Sequence, residues 1–238
     1  MSPFPTAARP WVYLASGSPR RRAILEELEI PYQLLPADVE EIAATTPRET
    51  VEENASRKLI AGLHNAKRGA IVIAADTVLA AQGRLLGKPA DKRMAAEYLQ
   101  TLSGGNAMAC SAVAVAVTGA ANGCLATETA EVHFKVLPPE VIDWYVSTGE
   151  PMGRAGAFGI GQLGEVLTES VDGCYSCVSG LPKTALILAL ARVSGEPLPE
   201  WLRHVPTALM GTRVQLRSLA LGVGHEVDHR HDDQREER

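Results

Sequence analysis

The 238-residue sequence predicts an α/β fold, and three features carry that prediction. Trp11-Val12-Tyr13 is a β-branched and aromatic run that passes through a short Ser-Gly-Ser loop into a helical pattern. Ala70 to Ala75 is a continuous apolar run closed by Asp76, the pattern of a strand covered on both faces. Strand-like and helix-like segments then alternate as far as residue 193.

Taken in order, the first helix follows Ser18, a suitable N-cap, with Pro19 at the first helical position where its missing N–H costs nothing. Apolar residues at 24, 25 and 28 give that helix one buried side. A second strand is expected over 30–35 after a proline turn. Asp38-Val39-Glu40-Glu41 then places three carboxylates in four residues. A helix is expected over 50–67, with acids at its start and Lys67 and Arg68 beside a closing Gly69. The run 70–75 should end at Asp76, which would put an acid at the carboxyl end of a strand, where open α/β sheets bind ligands. A second β run over 77–81 leads into a hairpin, and Asp91 caps a helix to Leu102 that Ser103-Gly104-Gly105 stops. Strands over 109–117 and 127–136 flank a small turn, and Pro138-Pro139 opens a helix to Ser147. The glycine-dense stretch 149–164 predicts irregular chain, and an apolar helix over 181–193 closes the fold. The domain is therefore drawn over 11–195. Residues 196–238 form a C-terminal extension whose charged end, without periodicity, predicts disorder.

Composition excludes several classes of function. Hydrophobic residues make up 46% and charged residues 21%, as in a globular protein with a sizeable core. No apolar run is long enough to span a membrane, and no signal-peptide pattern opens the chain, so a cytoplasmic protein is expected. The net charge is −5, and six acids against three arginines fall between 226 and 238. Duplex nucleic acid is not the expected partner of such a surface. Cys174-Tyr175-Ser176-Cys177 is a CxxC without a second pair to complete a zinc set, so reduced structural thiols are expected at Cys110, Cys124, Cys174 and Cys177. His225, His229 and His231 belong to the charged tail and are read as solvated.

The loop Ser16-Gly17-Ser18 is the first candidate site. It lies against a helix N-terminus, which offers free N–H groups and partial positive charge. Arg20, Arg21 and Arg22 crowd the first turn, where the macrodipole favours acids, so an anionic ligand such as a phosphate chain would relieve them. A basic surface turn is the plainer reading of this loop taken alone.

Nine ordered blocks carry a resemblance. They are Leu14-Ala15-Ser16-Gly17-Ser18-Pro19-Arg20-Arg21; Glu40-Glu41; Ala55 with Lys58; Ala75-Asp76-Thr77-Val78; Gly87-Lys88-Pro89 with Asp91; Leu102-Ser103-Gly104; Gly149-Glu150; Ala155-Gly156-Ala157-Phe158-Gly159-Ile160; and Val178 with Gly180-Leu181-Pro182. In order and spacing the chain resembles the Maf family, or septum-formation inhibitor proteins, which act as nucleoside triphosphate pyrophosphatases. The resemblance implies a single α/β domain of two lobes with a central mixed sheet and a deep cleft, similar to inosine triphosphate pyrophosphatases. It implies hydrolysis of a nucleoside triphosphate to the monophosphate and pyrophosphate with a divalent cation, Mg²⁺ or Mn²⁺, and a homodimer.

On that resemblance Asp76 matches the family's proton acceptor, and Arg20 and Thr77 match positions linked to base choice. Ser16, Ser18, Arg21, Lys58 and Lys88 match its polar set around the triphosphate. The residue chemistry agrees. A triphosphate carries about four negative charges, which arginine forks and lysine point charges neutralise. Asp76 with a bound Mg²⁺ could orient and deprotonate water, and Glu41 is the carboxylate expected to share the metal. Two departures stand out. Ala107 occupies a position where the family often has His, and Gly161-Gln162 replaces a Gln-Gly pair, moving the amide one residue on. Gln162 is kept as a candidate, and both dTTP/UTP and a modified nucleotide such as 7-methyl-GTP stay open as substrates. The alternative function is a nucleotide-binding regulator of cell division with little turnover.

Overall fold

A computed structural model of the chain describes residues 10–195 and 214–221. Its centre is an eight-stranded mixed sheet. The strands are β1 (Val12–Leu14), β2 (Gln33–Leu34), β3 (Ile71–Ala81), β4 (Arg84–Leu86), β5 (Asn106–Val117), β6 (Asn122–Phe134), β7 (Thr168–Gly173) and β8 (Leu216–Ala220). The main path runs β2-β1-β3-β5-β6-β7, with β4 on β3 and β8 on β6. Only the β2–β1 and β1–β3 pairs are parallel. The helices are α1 (Pro19–Glu27), α2 (Pro47–Asn65), α3 (Lys92–Leu102), α4 (Pro139–Ser147), α5 (Tyr175–Val178) and α6 (Lys183–Ser194). The predicted α/β class and central mixed sheet are both present.

Strand alternation sorts the core onto two faces. Ile71, Ile73 and Ala75 of β3 and Val113 and Val115 of β5 pack against Ile24 and Leu25 of α1 and the buried side of α6. Val72 and Ala74, with Ala112, Ala114 and Ala116, face Val51, Ala55 and Leu59 of α2. The alanines let α2 lie close to the sheet. Gly62 carries this to its limit, since a Cβ there would stand 2.9 Å from Val72 Cγ1. Further along the first face Leu79, Ala107, Ala109, Ala130 and Val132 form another core with α3 and α4. Between the two cores on that face lies a cross-strand row, Thr77, Ser111 and Glu128. The sheet is polar there because the row borders the site described below.

Several expectations are corrected. The runs 70–75 and 77–81 form one strand, so Asp76 lies mid-strand rather than at a carboxyl end. What brings it to the cavity is the edge of β3. β1 covers that edge at 71–73 and β4 covers it at 79–81, leaving the stretch between them without a strand partner. Helix α1 has Pro19 at its first position, but the Ser18 side chain makes no capping bond. Instead the Ser18 N–H donates to Ser16 Oγ at 3.2 Å. Helix α2 starts earlier than 50, at Pro47. Thr46 and Glu49 close a reciprocal capping box there, a signal that the run of acids obscured. Strand β2 is two exposed residues rather than six. β7 and α5 went unpredicted, being short and glycine-bounded. The stretch 149–164 holds a 3₁₀ turn at Ala155–Ala157 and leads into another at Leu163–Leu167.

The boundary drawn at 195 leaves out β8. This strand pairs with β6 over residues 122–126, beside β7, which pairs over 130–134. Arg217 Nη1 reaches Glu52 Oε2 at 2.7 Å, and Leu221 is buried on the α2 side. The disorder expected at the far end of the chain, and the tail histidines, lie outside the described residues. Removing everything after 195 is expected to leave kcat unchanged, because among the described residues none beyond 162 lines the cavity described below. Lost burial of Leu221 alone costs about 2 kcal/mol, so the melting temperature should fall by roughly 4–8 °C. Calorimetry beside a rate measurement at 25 °C checks both parts.

Candidate active site

The candidate catalytic, metal-holding and substrate-binding residues face one cavity of about 680 Å³. Ser16, Ser18, Arg20, Arg21, Glu41, Lys58, Asp76, Thr77, Lys88 and Gln162 all line it. The cavity wraps around the uncovered edge of β3. Asp76 points to the α2 side and Thr77 to the α1 side, as alternation requires.

On the α2 side, Lys58 Nζ is 2.7 Å from both Asp76 Oδ1 and Glu41 Oε1. Lys58 and Asp76 are almost fully buried, and Glu41 is half-exposed. Lys88, from the loop after β4, donates to both Glu41 oxygens at 3.0 and 3.1 Å. Asn54 Nδ2 donates to Asp76 Oδ2 at 3.3 Å. Desolvation raises the Glu41 carboxyl, but the hydrogen bonds and charges of Lys58 and Lys88 together outweigh it and hold the group at about 2 rather than 4.5. A carboxyl depressed by folding contributes stability above its unfolded value and loses it as pH falls through its folded one. The stability gap between wild type and Glu41→Gln is therefore expected to be full at neutral pH and to close between about pH 4.5 and about 2. Paired urea titrations across that window test it.

On the α1 side, Arg21 is engaged with the protein itself. Its Nε donates to the Gly180 carbonyl at 2.8 Å, Nη1 to Ser16 Oγ at 3.0 Å and Nη2 to Thr77 Oγ1 at 3.4 Å. Thr77 Oγ1 and Ser111 Oγ share a hydrogen bond of 2.6 Å, and Ser111 also donates to the Cys177 carbonyl at 2.8 Å. Burial pulls the Arg21 guanidinium down, and the charges of Asp76 and Glu41 partly offset it. Among the described residues Arg20 has no such ties. Burial lowers it to about 10, helped by the positive charges of Arg154 and Arg21. Arg22 does not line the cavity.

The far wall is the loop 149–164. Its anchor is Glu150, a buried carboxylate that accepts from Tyr145 Oη at 3.0 Å, Gly164 N at 3.0 Å and Leu163 N at 3.1 Å. Arg154 donates from Nη2 to Gln162 Oε1. Its Nη1 is buried without a hydrogen bond, 3.6 Å from Glu150. Gly161 adopts φ +81°, a left-handed turn that glycine tolerates, and the chain then presents Gln162 to the cavity. Ala107 is buried in the core with α3 and α4, away from the cavity lining, so that departure takes no group from the wall.

Sequence reasoning missed Asn54, Ser111, Glu150 and Arg154. Glu150 stood inside a matching block, but nothing in the pattern distinguished its buried role. In the CxxC, Cys174 precedes α5 and Cys177 is buried within it. All four cysteines are free, and the buried Cys177 thiol donates to the Glu128 carbonyl at 3.1 Å.

Five cations and three carboxylates therefore meet in one cavity. The Maf family, described as Maf-like protein, matches residues 11–193. This chain belongs to the Maf family. Among its relatives, the dTTP/UTP pyrophosphatase of Syntrophomonas wolfei subsp. wolfei is 39% identical over 181 residues, covering 75% of this chain and 95% of that protein. The dTTP/UTP pyrophosphatase of Pelotomaculum thermopropionicum is 40% identical over 177 residues, covering 74% and 92%. That of Symbiobacterium thermophilum is 43% identical over 171 residues, covering 71% and 87%. Among solved structures, a HAM1 protein from Coxiella burnetii aligns with a TM-score of 0.38 at 20% identity, over 53% of this Maf chain and 73% of that one. Among the described residues no helix of this Maf protein is long and apolar enough to cross a membrane.

Proposed function

We propose that this protein hydrolyses nucleoside triphosphates, of the dTTP and UTP class, to the monophosphate and pyrophosphate. The observation that carries the reading is the cavity at the bare edge of β3, where Arg20, Lys58, Lys88 and Arg154 converge beside Asp76. An unliganded cluster of this kind is unfavourable: burial lowers Arg20 most, and the positive charges of Arg154 and Arg21 lower it further. A bound polyphosphate relieves it. The names of the relatives support the base class.

The donor set also fits a divalent cation that brings ligands of its own. Asp76 and Glu41 both contact the Lys58 ammonium, so they share a centre of positive charge. Among the described residues no group of three or more His, Cys, Asp or Glu side chains is placed to hold a metal. Two carboxylates completed by phosphate oxygens and water are what Mg²⁺ commonly accepts. Asp76 and Glu41 would hold it, and when bound it supplies charge neutralisation and a more acidic water.

The residues of the chain divide the remaining work. Lys58 and Lys88 set positive charge beside the phosphates, and Arg20 offers its planar fork to phosphate oxygens. Ser16 and Ser18 line the phosphate side of the cavity at the start of α1. Asp76 accepts the proton of the attacking water as the bond to the α-phosphorus forms and the pyrophosphate leaves. Arg21 fixes Ser16 and Thr77 in place from behind. Arg154 holds the Gln162 carbonyl oxygen, which leaves the amide nitrogen as a donor for base carbonyls. We infer a homodimer from the family resemblance, and a cytoplasmic protein from the sequence pattern at the start of the chain.

The test is pyrophosphate release from a panel of triphosphates, including dTTP, UTP, CTP and 7-methyl-GTP, with Mg²⁺ or Mn²⁺. Release from dTTP and UTP above the others is expected. Tight nucleotide binding without release would favour the regulator reading instead.

A further inference from the structure

The inner face of α2 carries three polar residues one turn apart, Thr50, Asn54 and Lys58, all buried. They run alongside the apolar row Val51, Ala55 and Leu59. Buried polar side chains at core-facing positions are costly unless every group is paired. Here each is paired with the acidic loop before the helix. Thr50 Oγ1 accepts from Ala44 N at 3.0 Å. Asn54 Oδ1 accepts from Ile42 N at 2.9 Å, and Asn54 Nδ2 donates to Ile42 O at 3.0 Å. Lys58 reaches Glu41. The loop is thus fastened along the helix residue by residue, and the fastening ends at the site.

Asn54 is the central tie. Its two bonds to Ile42 fix which end of the amide is oxygen and which is nitrogen, since the reversed amide would face donor to donor and acceptor to acceptor. The nitrogen so oriented turns its second hydrogen to Asp76 Oδ2, while Asp76 Oδ1 takes Lys58. One side chain therefore touches the strand acid and the backbone neighbour of Glu41 together.

We propose that Asn54 is a positioning residue, tying the Glu41 loop and Asp76 into one fixed pair of carboxylates. It rests on the pyrophosphatase reading for its kinetic consequence, though not for the tie itself. The pair meets a cation and the attacking water, so loosening it should lower the chemical step and cation affinity more than nucleotide binding. Groups behind metal-binding carboxylates typically matter by about 10–100-fold.

Two variants test this. Asn54→Leu keeps the approximate volume and removes all three hydrogen bonds, whereas Asn54→Asp keeps the acceptor for Ile42 N and removes both donors. Mn²⁺ is titrated by electron paramagnetic resonance, with and without a non-hydrolysable UTP analogue, and kcat and KM are measured for UTP. Asn54→Leu is expected to weaken Mn²⁺ binding and lower kcat by about 10–100-fold, with KM for UTP little changed. In a Glu41→Gln background the same substitution should cost much less, because a tie acting through Glu41 is non-additive with it. Wild-type kcat and Mn²⁺ affinity in folded Asn54→Leu would overturn the proposal, as would equal losses in both backgrounds. If the leucine variant does not fold, Asn54→Asp is measured in the same way, and the same results support or overturn the proposal. A wild type that releases no pyrophosphate from any triphosphate would overturn the proposed function. The Mn²⁺ titrations without nucleotide would then decide the role of Asn54 on their own.

Discussion

Replacing Asp76 with asparagine is expected to remove about 99% or more of turnover while leaving a folded, nucleotide-binding protein. The amide fills the same space on β3 and can still accept from Asn54. It cannot take a proton from water, and it removes one of two negative charges that face a cation. General-base catalysis alone is worth about 10²–10⁴-fold. The substitution also leaves Lys58 without its buried partner, and breaking such a pair from one side is ordinarily destabilising by about 3–5 kcal/mol. Lys58 keeps Glu41 at 2.7 Å, so the loss should be well short of that range. Single-turnover kinetics with UTP, read beside melting curves, separates the two effects. Near-wild-type turnover in Asp76→Asn would remove Asp76 from the chemistry.

The second large effect is a contrast between adjacent arginines. Sequence alone gives Arg20 and Arg21 the same role, and the structure divides them. Arg20→Ala should weaken binding of a non-hydrolysable triphosphate by roughly 10- to 100-fold, the value of one charge-assisted hydrogen bond of about 1.5–3 kcal/mol. It should leave the free protein as stable as before or more so, because it relieves repulsion with Arg154 and Arg21. Arg21→Ala breaks bonds to Gly180, Ser16 and Thr77, so it should lower the melting temperature of the free protein by several degrees. Its binding loss then follows from displaced Ser16 and Thr77. Arg22→Ala is the control for both, being in the same turn but off the cavity. Equal stability losses in the Arg20 and Arg21 variants would contradict the division.

The site was more legible in the sequence than the way it is built. Asp76, Thr77, Lys58, Lys88 and the Ser16–Arg21 loop stand in local blocks whose residue types already suggest phosphate chemistry. What brings them together is non-local. The gap on the β3 edge arises because β1 stops at Leu14, opposite Ile73, and β4 stops at Leu86, opposite Leu79, and no local pattern in β3 reports where its neighbours end. A strand terminus at Asp76 is the natural expectation without that knowledge. Asn54 escapes notice because a lone Asn in a helix reads as a surface residue, and only the returning loop makes it a buried tie. The row Thr50, Asn54, Lys58, at a spacing of four beside an apolar row of equal spacing, is the available signal. Glu150 and Arg154 sit in a glycine-dense stretch where neither period applies, so their pairing is visible only in three dimensions. β8 is hidden by a similar cause: five residues of mixed character, half-exposed on the sheet edge, have little amphipathic signature.

The central claim is that water, activated by Asp76, attacks the α-phosphorus of a bound triphosphate. Hydrolysis of UTP in ¹⁸O-labelled water, followed by mass spectrometry of both products, tests it most directly. The account predicts one ¹⁸O atom in UMP and unlabelled, intact pyrophosphate. Label in the pyrophosphate, or release of orthophosphate in its place, would contradict it.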